Sequence, residues 1–192
     1  ACENSETDGR VYAMLLGRLL GTEVRPFEMG SFAFIGWPHV YSLAGTFLRQ
    51  AAAKGVRHAL LAVDNDGGAK KFPEHDPAHP GLPCVTDKAT LQRERRCRVC
   101  TLAAIVPTNW IAEERLVCVV VPVQTLETWV LCVQNDAFRE AAPEKQYHRG
   151  ALKKLCYGTN DLPAREQRDH AINVLTREDA LGLLRQRASF RR

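Results

Sequence analysis

Apolar residues recur along this chain with two different patterns, and the two patterns alternate. Continuous apolar runs at residues 59–63 and 116–123 are too short for free-standing helices and are typical of strands buried in a parallel sheet. An alternating stretch at 22–28 contains Pro26, which favours an edge strand. Strands that alternate with helical patterns predict an α/β fold with a mainly parallel sheet flanked by helices. Apolar positions at helical spacing predict helices over residues 11–20, 39–54, 101–114 (interrupted at Pro107), 125–133, 143–155, 164–175 and 177–187.

Two aspartates mark the end of the first apolar run. Asp64 and Asp66 follow it directly, and Gly67 and Gly68 then let the backbone turn away from the sheet. In open α/β sheets ligands bind beyond the carboxyl ends of the strands, and alternate residues of an extended chain point to the same side. The two carboxylates can therefore share a hard cation such as Mg²⁺. The same residues also favour an ordinary turn, and this second interpretation stays open.

Residues 69–115 are predicted to form an insertion, and this insertion contains a second group of potential metal ligands. Cys97 and Cys100 form a Cys-x-x-Cys pair, and His75 and His79 lie upstream, with Cys84 as an alternative ligand. Two cysteines and two histidines can complete a tetrahedral Zn²⁺ site. A structural zinc would stabilise a proline-rich segment that has little apolar core of its own. A redox pair is one competing interpretation, and free thiols with loop histidines are the other.

Basic residues on either side of the proline-rich part of this insertion form a possible surface for nucleic acid. A cluster of this kind can bind a phosphate backbone, although charge runs are also common on simply solvated faces and Glu94 dilutes this one. The cluster comprises Lys70, Lys71, Arg93, Arg95, Arg96 and Arg98.

The net charge and the cysteine content indicate the cellular compartment and the kind of partner to expect. A net charge of +4 permits an anionic partner without demanding one. The 7 cysteines are odd in number and scattered, which indicates reduced thiols inside a cell and not a secreted disulfide framework. The sequence shows no membrane-length apolar run and no signal peptide. These features predict a cytoplasmic protein that has no membrane partner.

A further acidic residue, Glu3, stands where a first strand would end, although only two residues precede it. After the second apolar run, Pro122, Glu127 and Trp129 follow the pattern Pro-x-x-x-x-Glu-x-Trp, and residues 188–191 read Ala-Ser-Phe-Arg. A glutamate after one strand and an Asp-x-Asp after another resemble the Toprim superfamily. The combination is most similar to small stand-alone bacterial Toprim-like proteins of unknown function, related to the OLD-family nucleases. The long insertion after Asp66 departs from that pattern.

The resemblance implies a Toprim or Rossmann-like α/β fold. It implies a single Toprim-like domain over residues 1–192, with the insertion at 69–115 and a C-terminal helical segment at 143–192. In such proteins the glutamate acts as general acid or base and the aspartates hold Mg²⁺ or Mn²⁺, which would assign these roles to Glu3, Asp64 and Asp66. Glu127 is a further candidate Mg²⁺ ligand, but an acidic residue near a helix N-terminus is equally explained by the helix dipole. Trp129 is expected to pack in the core.

The leading functional hypothesis is a Mg²⁺-dependent phosphodiester hydrolase acting on DNA or RNA, and the resemblance implies bacterial defence or nucleic-acid processing as its setting. The alternative is a non-catalytic nucleic-acid or protein interaction module with the same fold and a structural zinc. A weaker third hypothesis is an enzyme that transfers or hydrolyses nucleotides. An oligomer or a partner protein is compatible with each of these.

Overall fold

The chain forms two compact units. The computed structural model describes residues 1–2, 7–25, 36–64, 98–122, 125–135, 137–138, 149–187 and 190. The sheet unit comprises Ala1–Glu3 and Phe34–Val121, and the helical unit comprises Asn4–Ala33 and Pro122–Arg192. The prediction of a single domain stays a prediction, because two compact units can belong to one domain.

A parallel pair of strands lies at the centre of the sheet unit. Strand β1 (His58–Ala62) pairs with β2 (Leu116–Val120) in a register that places His58 opposite Leu116 and Ala62 opposite Val120. On the other side of β1, Cys2 forms an isolated parallel bridge with Ala62. Among the described residues, β1 is therefore the middle one of three parallel segments.

Burial within this sheet increases towards its carboxyl edge. Leu61, Ala62 and Val63 are at most 1% exposed. Because successive residues of a strand point to opposite faces, both faces are covered there, as predicted for β1. Strand β2 is less buried than its apolar run predicted: within the described part of the chain it pairs with β1 alone, Leu116 is 64% exposed and Cys118 is exposed. Its apolar β-branched composition therefore did not suffice to bury it.

Three helices complete the described part of the sheet unit: α2 (Gly36–Ala53), α3 (Arg98–Ala103) and α4 (Thr108–Ala112). Helix α2 contacts β1, and α3 contacts β2. Trp110 of α4 is fully buried, and its indole N–H donates to the carbonyl of Leu48 at 2.8 Å. This bond satisfies the polar atom of a large core side chain. The interruption predicted at Pro107 is confirmed, because Pro107 occupies the N-cap of α4.

The helical unit is built around one buried helix, α5 (Leu126–Gln134). Around it lie α1 (Asp8–Leu20), α6 (Arg149–Tyr157), α7 (Ala164–Leu175) and α8 (Ala180–Leu184). Helix α5 contacts α6, α7 and α8, and its residues from Leu126 to Val133 are all buried. A helix that is buried all round is the core of its unit. The Trp129 ring meets those of Tyr12 and Phe190 edge-on, at centroid distances of 6.1 and 5.0 Å, which confirms its predicted place in the core.

Local signals placed the end of α1 and both ends of α7 correctly, whereas α1 and α2 each begin three residues earlier than predicted, α8 is shorter than predicted, and the predicted edge strand is absent from residues 22–25. Helix α1 ends as predicted at Gly21, whose φ of 66° is left-handed, and α7 covers its predicted range. Residues 22–25 form no strand, although 22–28 were predicted as one. The amide of Thr22 bonds back to the carbonyl of Gly17 at 3.1 Å, and the side chains of Glu23 and Arg25 pair in solvent. The amide of Thr22 is thus bonded within the turn that ends α1 and is not available to a neighbouring strand.

At the coarse level the fold is a mixture of helices and strands with a parallel sheet, compatible with the predicted α/β class. Of the helices in the described ranges, none is both long and apolar enough to cross a bilayer.

Candidate functional site

The predicted cation site begins at the carboxyl end of β1. Val63 is 1% exposed and its amide donates to the carbonyl of Val120 at 3.1 Å, which extends the ladder one residue past the strand. Asp64 comes next and is half-buried. A carboxylate here stands where the chain leaves a covered sheet, which is the usual position of ligand-binding groups in parallel α/β sheets. Asp66 lies outside the described residues.

The pairing of Cys2 connects this edge to Glu3. The amide of Ala62 donates to the carbonyl of Ala1 at 2.8 Å, and the nitrogen of Ala1 donates to the carbonyl of Leu60 at 2.6 Å. Cys2, which is 5% exposed, lies opposite Ala62 in the parallel register. Glu3 is the next residue along the chain after Cys2, and Asp64 is the second after Ala62. Two residues thus suffice to pair with β1, and two acidic sequence positions follow neighbouring parallel segments. Glu3 itself lies outside the described residues.

Glu127 lies in the helical unit, in the first turn of α5. It is 7% exposed, an uncommon state for a carboxylate, and the position agrees with the helix dipole. Thr125 at the N-cap is 2% exposed, and its hydroxyl makes no hydrogen bond to the first turn or to any other of the described residues. That hydroxyl oxygen has almost no accessible surface, so a ligand atom has no room to reach it. The proposed Mg²⁺ role of Glu127 stays a prediction.

A thiol and a phenol at the end of α6 respond to the charge of Glu127. Burial, followed by the Glu127 carboxylate, raises the pKa of Cys156 to about 12, and a hydrogen bond from Tyr157 offsets part of this rise. Burial, with the charges of Glu127 and Asp8, also raises the pKa of Tyr157. Cys156 therefore stays a neutral thiol at neutral pH and is a poor nucleophile. The sequence carried no local sign of this cluster, because the groups come from three helices.

His170 of α7 contacts the same region through Tyr157. It lies within 2.8 Å of the Gln134 side-chain nitrogen and meets the ring of Tyr157 edge-on at 5.4 Å. A hydrogen bond and an aromatic contact of this kind agree with a structural role for His170. Among the described residues, no group of three or more His, Cys, Asp or Glu side chains is placed to hold a metal ion.

The predicted zinc ligands mostly fall outside the described residues. His75, His79, Cys84 and Cys97 all do so, and for Cys100 the backbone alone is described, within α3. The zinc site therefore stays a prediction.

The predicted basic surface loses one member. Lys70, Lys71, Arg93, Arg95 and Arg96 lie outside the described residues. Arg98, however, is 4% exposed, and its guanidinium lies over the ring of Trp37 at 5.3 Å. A guanidinium stacked on an indole in the interior contributes a cation–π contact to the core and is not available to a phosphate backbone.

Two arginines that the sequence analysis did not single out line a cavity of about 320 Å³ in the helical unit. They are Arg165 and Arg168, with Thr7 and Ala164 beside them. The sequence does contain a signal for this arrangement: Pro163 stands at the N-cap of α7, and Arg165 and Arg168 are three residues apart in the helix, which places both on one face.

Comparison with known proteins adds no relative to this picture. No family model matches the chain, and no curated protein or solved structure matches it either. The interpretation of function therefore depends on the residues and geometry of this chain.

Proposed function

We propose that the protein is a divalent-metal-dependent phosphodiester hydrolase of the Toprim type, acting on DNA or RNA. The observation that carries this proposal is the parallel bridge between Cys2 and Ala62. It sets the segment that precedes Glu3 beside the strand that precedes Asp64, so both acidic positions follow the carboxyl ends of neighbouring parallel segments. This adjacency supports the proposal, because the resemblance implies that the glutamate and the two aspartates act together.

The chemistry of the residues fits a hard cation. Asp64 is a half-buried carboxylate at the mouth of a covered sheet, and oxygen ligands of this kind are those that Mg²⁺ and Mn²⁺ prefer. In the proposed reaction Asp64 and Asp66 hold the ion, which when bound neutralises charge on the scissile phosphate. Glu3 takes a proton from the attacking water or returns one to the leaving oxygen.

The decisive experiment measures cleavage of plasmid, single-stranded DNA and RNA in Mg²⁺ or Mn²⁺. It compares the native protein with Asp64→Asn and with Asp161→Asn, an exposed aspartate of the helical unit that serves as the matched control. We expect Asp64→Asn to lower the rate by at least about a hundredfold, because a bound metal ion contributes several kcal/mol of charge stabilisation.

The control should cut at the native rate. Cleavage that survives in Asp64→Asn would show that the chemistry lies elsewhere. A folded protein that binds nucleic acid with the same affinity in all three forms, and cuts none of it, would instead identify an interaction module.

A further inference from the structure

The cavity in the helical unit is formed where the start of α7 meets the residue before α1. Thr7, Ala164, Arg165 and Arg168 line it, and its volume is about 320 Å³. Helices α1 and α7 pack against each other, so the walls of the cavity belong to a packed pair of helices. The volume lies at the lower end of the range for small-molecule sites, which suits a compact ligand group.

The guanidinium groups of Arg165 and Arg168 have more N–H donors than the Asp169 carboxylate can accept. Arg168 donates to the Asp169 carboxylate through Nε at 2.8 Å and approaches it through Nη2 at 2.7 Å. Arg165 Nε lies 3.8 Å from the other Asp169 oxygen, which is too long for a hydrogen bond. Each guanidinium has five N–H donors, so most of those of Arg165 and several of those of Arg168 are left to a ligand. Asp169 thus orients the Arg168 guanidinium and leaves some of its N–H groups for a ligand.

The first turn of α7 adds backbone donors at the same place. Helix α7 has 12 residues, begins at Ala164, and has Pro163 at its N-cap with no side-chain cap. The first amides of a helix have no partner within the helix, and the dipole makes that end favourable for an anion. Ala164, the first residue of this turn, lines the cavity itself.

A third cation lies next to this end of the helix. Lys153 of α6 donates through Nζ to the side-chain oxygen of Gln167 at 3.3 Å. Among the described residues, the carboxylates close in sequence to the lining residues are Asp8, Asp161, Glu166 and Asp169, of which Asp169 is engaged with Arg168 and Asp161 and Glu166 are exposed. Glu166 can turn towards solvent, so it does not block the cavity.

We propose that this cavity binds a phosphate group, held by Arg165, Arg168 and the first-turn amides of α7. A tetrahedral phosphate has enough acceptor oxygens to meet two guanidinium groups and the amides at once, whereas a carboxylate has only two oxygens. The site needs no metal ion, and its residues belong to the helical unit whereas Asp64 belongs to the sheet unit, so either proposal can fail while the other holds.

The test is a titration of the ¹⁵N-labelled protein with inorganic phosphate in the presence of EDTA, at constant ionic strength. We expect saturable shifts of the amide signals of Ala164, Arg165 and Glu166. Arg165→Gln and Arg168→Gln should each weaken binding about tenfold, because each removes charge-assisted hydrogen bonds. The matched control is Arg185→Gln, an exposed arginine at the end of α8 that does not line the cavity.

The Arg165 side chain is 84% exposed, so Arg165→Gln should fold normally, and far-UV circular dichroism checks this. The proposal is overturned if the α7 amides show no saturable shift, or if folded Arg165→Gln and Arg168→Gln bind phosphate as tightly as the native protein. Native-like binding in Asp64→Asn would separate this site from the hydrolase centre.

A phosphate group can come from a free nucleotide or from a polynucleotide backbone. The comparison uses adenosine monophosphate and a single-stranded DNA oligonucleotide that lacks a terminal phosphate, each titrated over a series of salt concentrations. Backbone recognition predicts tighter binding of the oligonucleotide and a salt slope that falls by about one in Arg165→Gln. Recognition of a free phosphate predicts that the mononucleotide binds as well as the oligonucleotide or better.

Discussion

The amide of Ala62 donates to the carbonyl of Ala1 at 2.8 Å. The two residues are 61 positions apart in the sequence, too far for a local sequence pattern to predict their contact. This bond begins the parallel pairing of the first two residues with β1. Its consequence is that Glu3 follows a segment paired with β1, the strand that Asp64 follows by two residues. The proposed chemistry depends on that adjacency.

Glu3→Gln should remove the acid–base function while it keeps the size of the side chain. We expect the rate of Mg²⁺-dependent cleavage to fall by about 10²–10⁴, because general acid–base catalysis contributes that much. The measurement is the pH dependence of the cleavage rate. The limb that reports the acid–base group should disappear in the variant, whereas affinity for uncut nucleic acid should stay close to native. An unchanged pH profile would remove Glu3 from the mechanism.

The predicted zinc site can be tested by metal analysis. Protein purified without chelator should contain zinc, and Cys97→Ser or Cys100→Ser should lose most of it, because a neutral hydroxyl replaces a thiolate ligand. Cys118→Ser serves as the control, since Cys118 is an exposed cysteine of β2. Zinc content by plasma mass spectrometry is the measurement. Native protein free of zinc, yet equally stable after chelation, would favour free thiols in the insertion.

Cys156 should make stability depend on alkaline pH. Its pKa rises from 9.0 to about 12 in the folded protein, because burial and the Glu127 carboxylate oppose the thiolate. Its contribution is therefore fully present below pH 9.0 and is lost as the pH rises towards 12. Urea unfolding at several pH values should show a shallower alkaline decline in Cys156→Ser, which has no thiol to ionise.

The same environment predicts slow modification of Cys156 by thiol reagents. Peptide mass spectrometry after brief alkylation at neutral pH should find Cys118 labelled well before Cys156, because Cys118 is exposed and Cys156 is buried. Early labelling of Cys156 would show that the end of α6 opens readily.

Arg18 should stabilise the helical unit through the end of α7. Its guanidinium donates to the carbonyls of Leu175 and, at 2.9 Å, Arg177. A cation at a helix C-terminus satisfies orphan carbonyls and interacts favourably with the dipole. Arg18→Ala should lower the free energy of unfolding by about 1–3 kcal/mol, as measured by urea denaturation. Arg10→Ala, at an exposed position on the same helix, should change it far less.

Several features could be predicted because their causes are local in sequence. The left-handed Gly21 after an apolar helical pattern ended α1, and Pro163 before another pattern began α7. The burial of Trp129 followed from its place in a mainly apolar helix. Two predictions failed where a neighbour decided the outcome: residues 22–25 turn back on α1 instead of joining a sheet, and Arg98 stacks on Trp37 instead of facing solvent.

The sequence by itself determined the two apolar strands and the helices around them, both ends of α7 and the end of α1, and the identity of the acidic residues that follow the apolar strands. Capping, backbone preference and periodicity act over a few residues, so the sequence alone can reveal them. The tertiary structure alone decided that Cys2 pairs with Ala62, that Glu127 raises the pKa of Cys156, and that Arg165 and Arg168 open onto one cavity. The pairing and the pKa shift require residues distant in sequence to meet, and the cavity requires α1 and α7 to pack together. Such contacts are chosen by the packing of the whole unit.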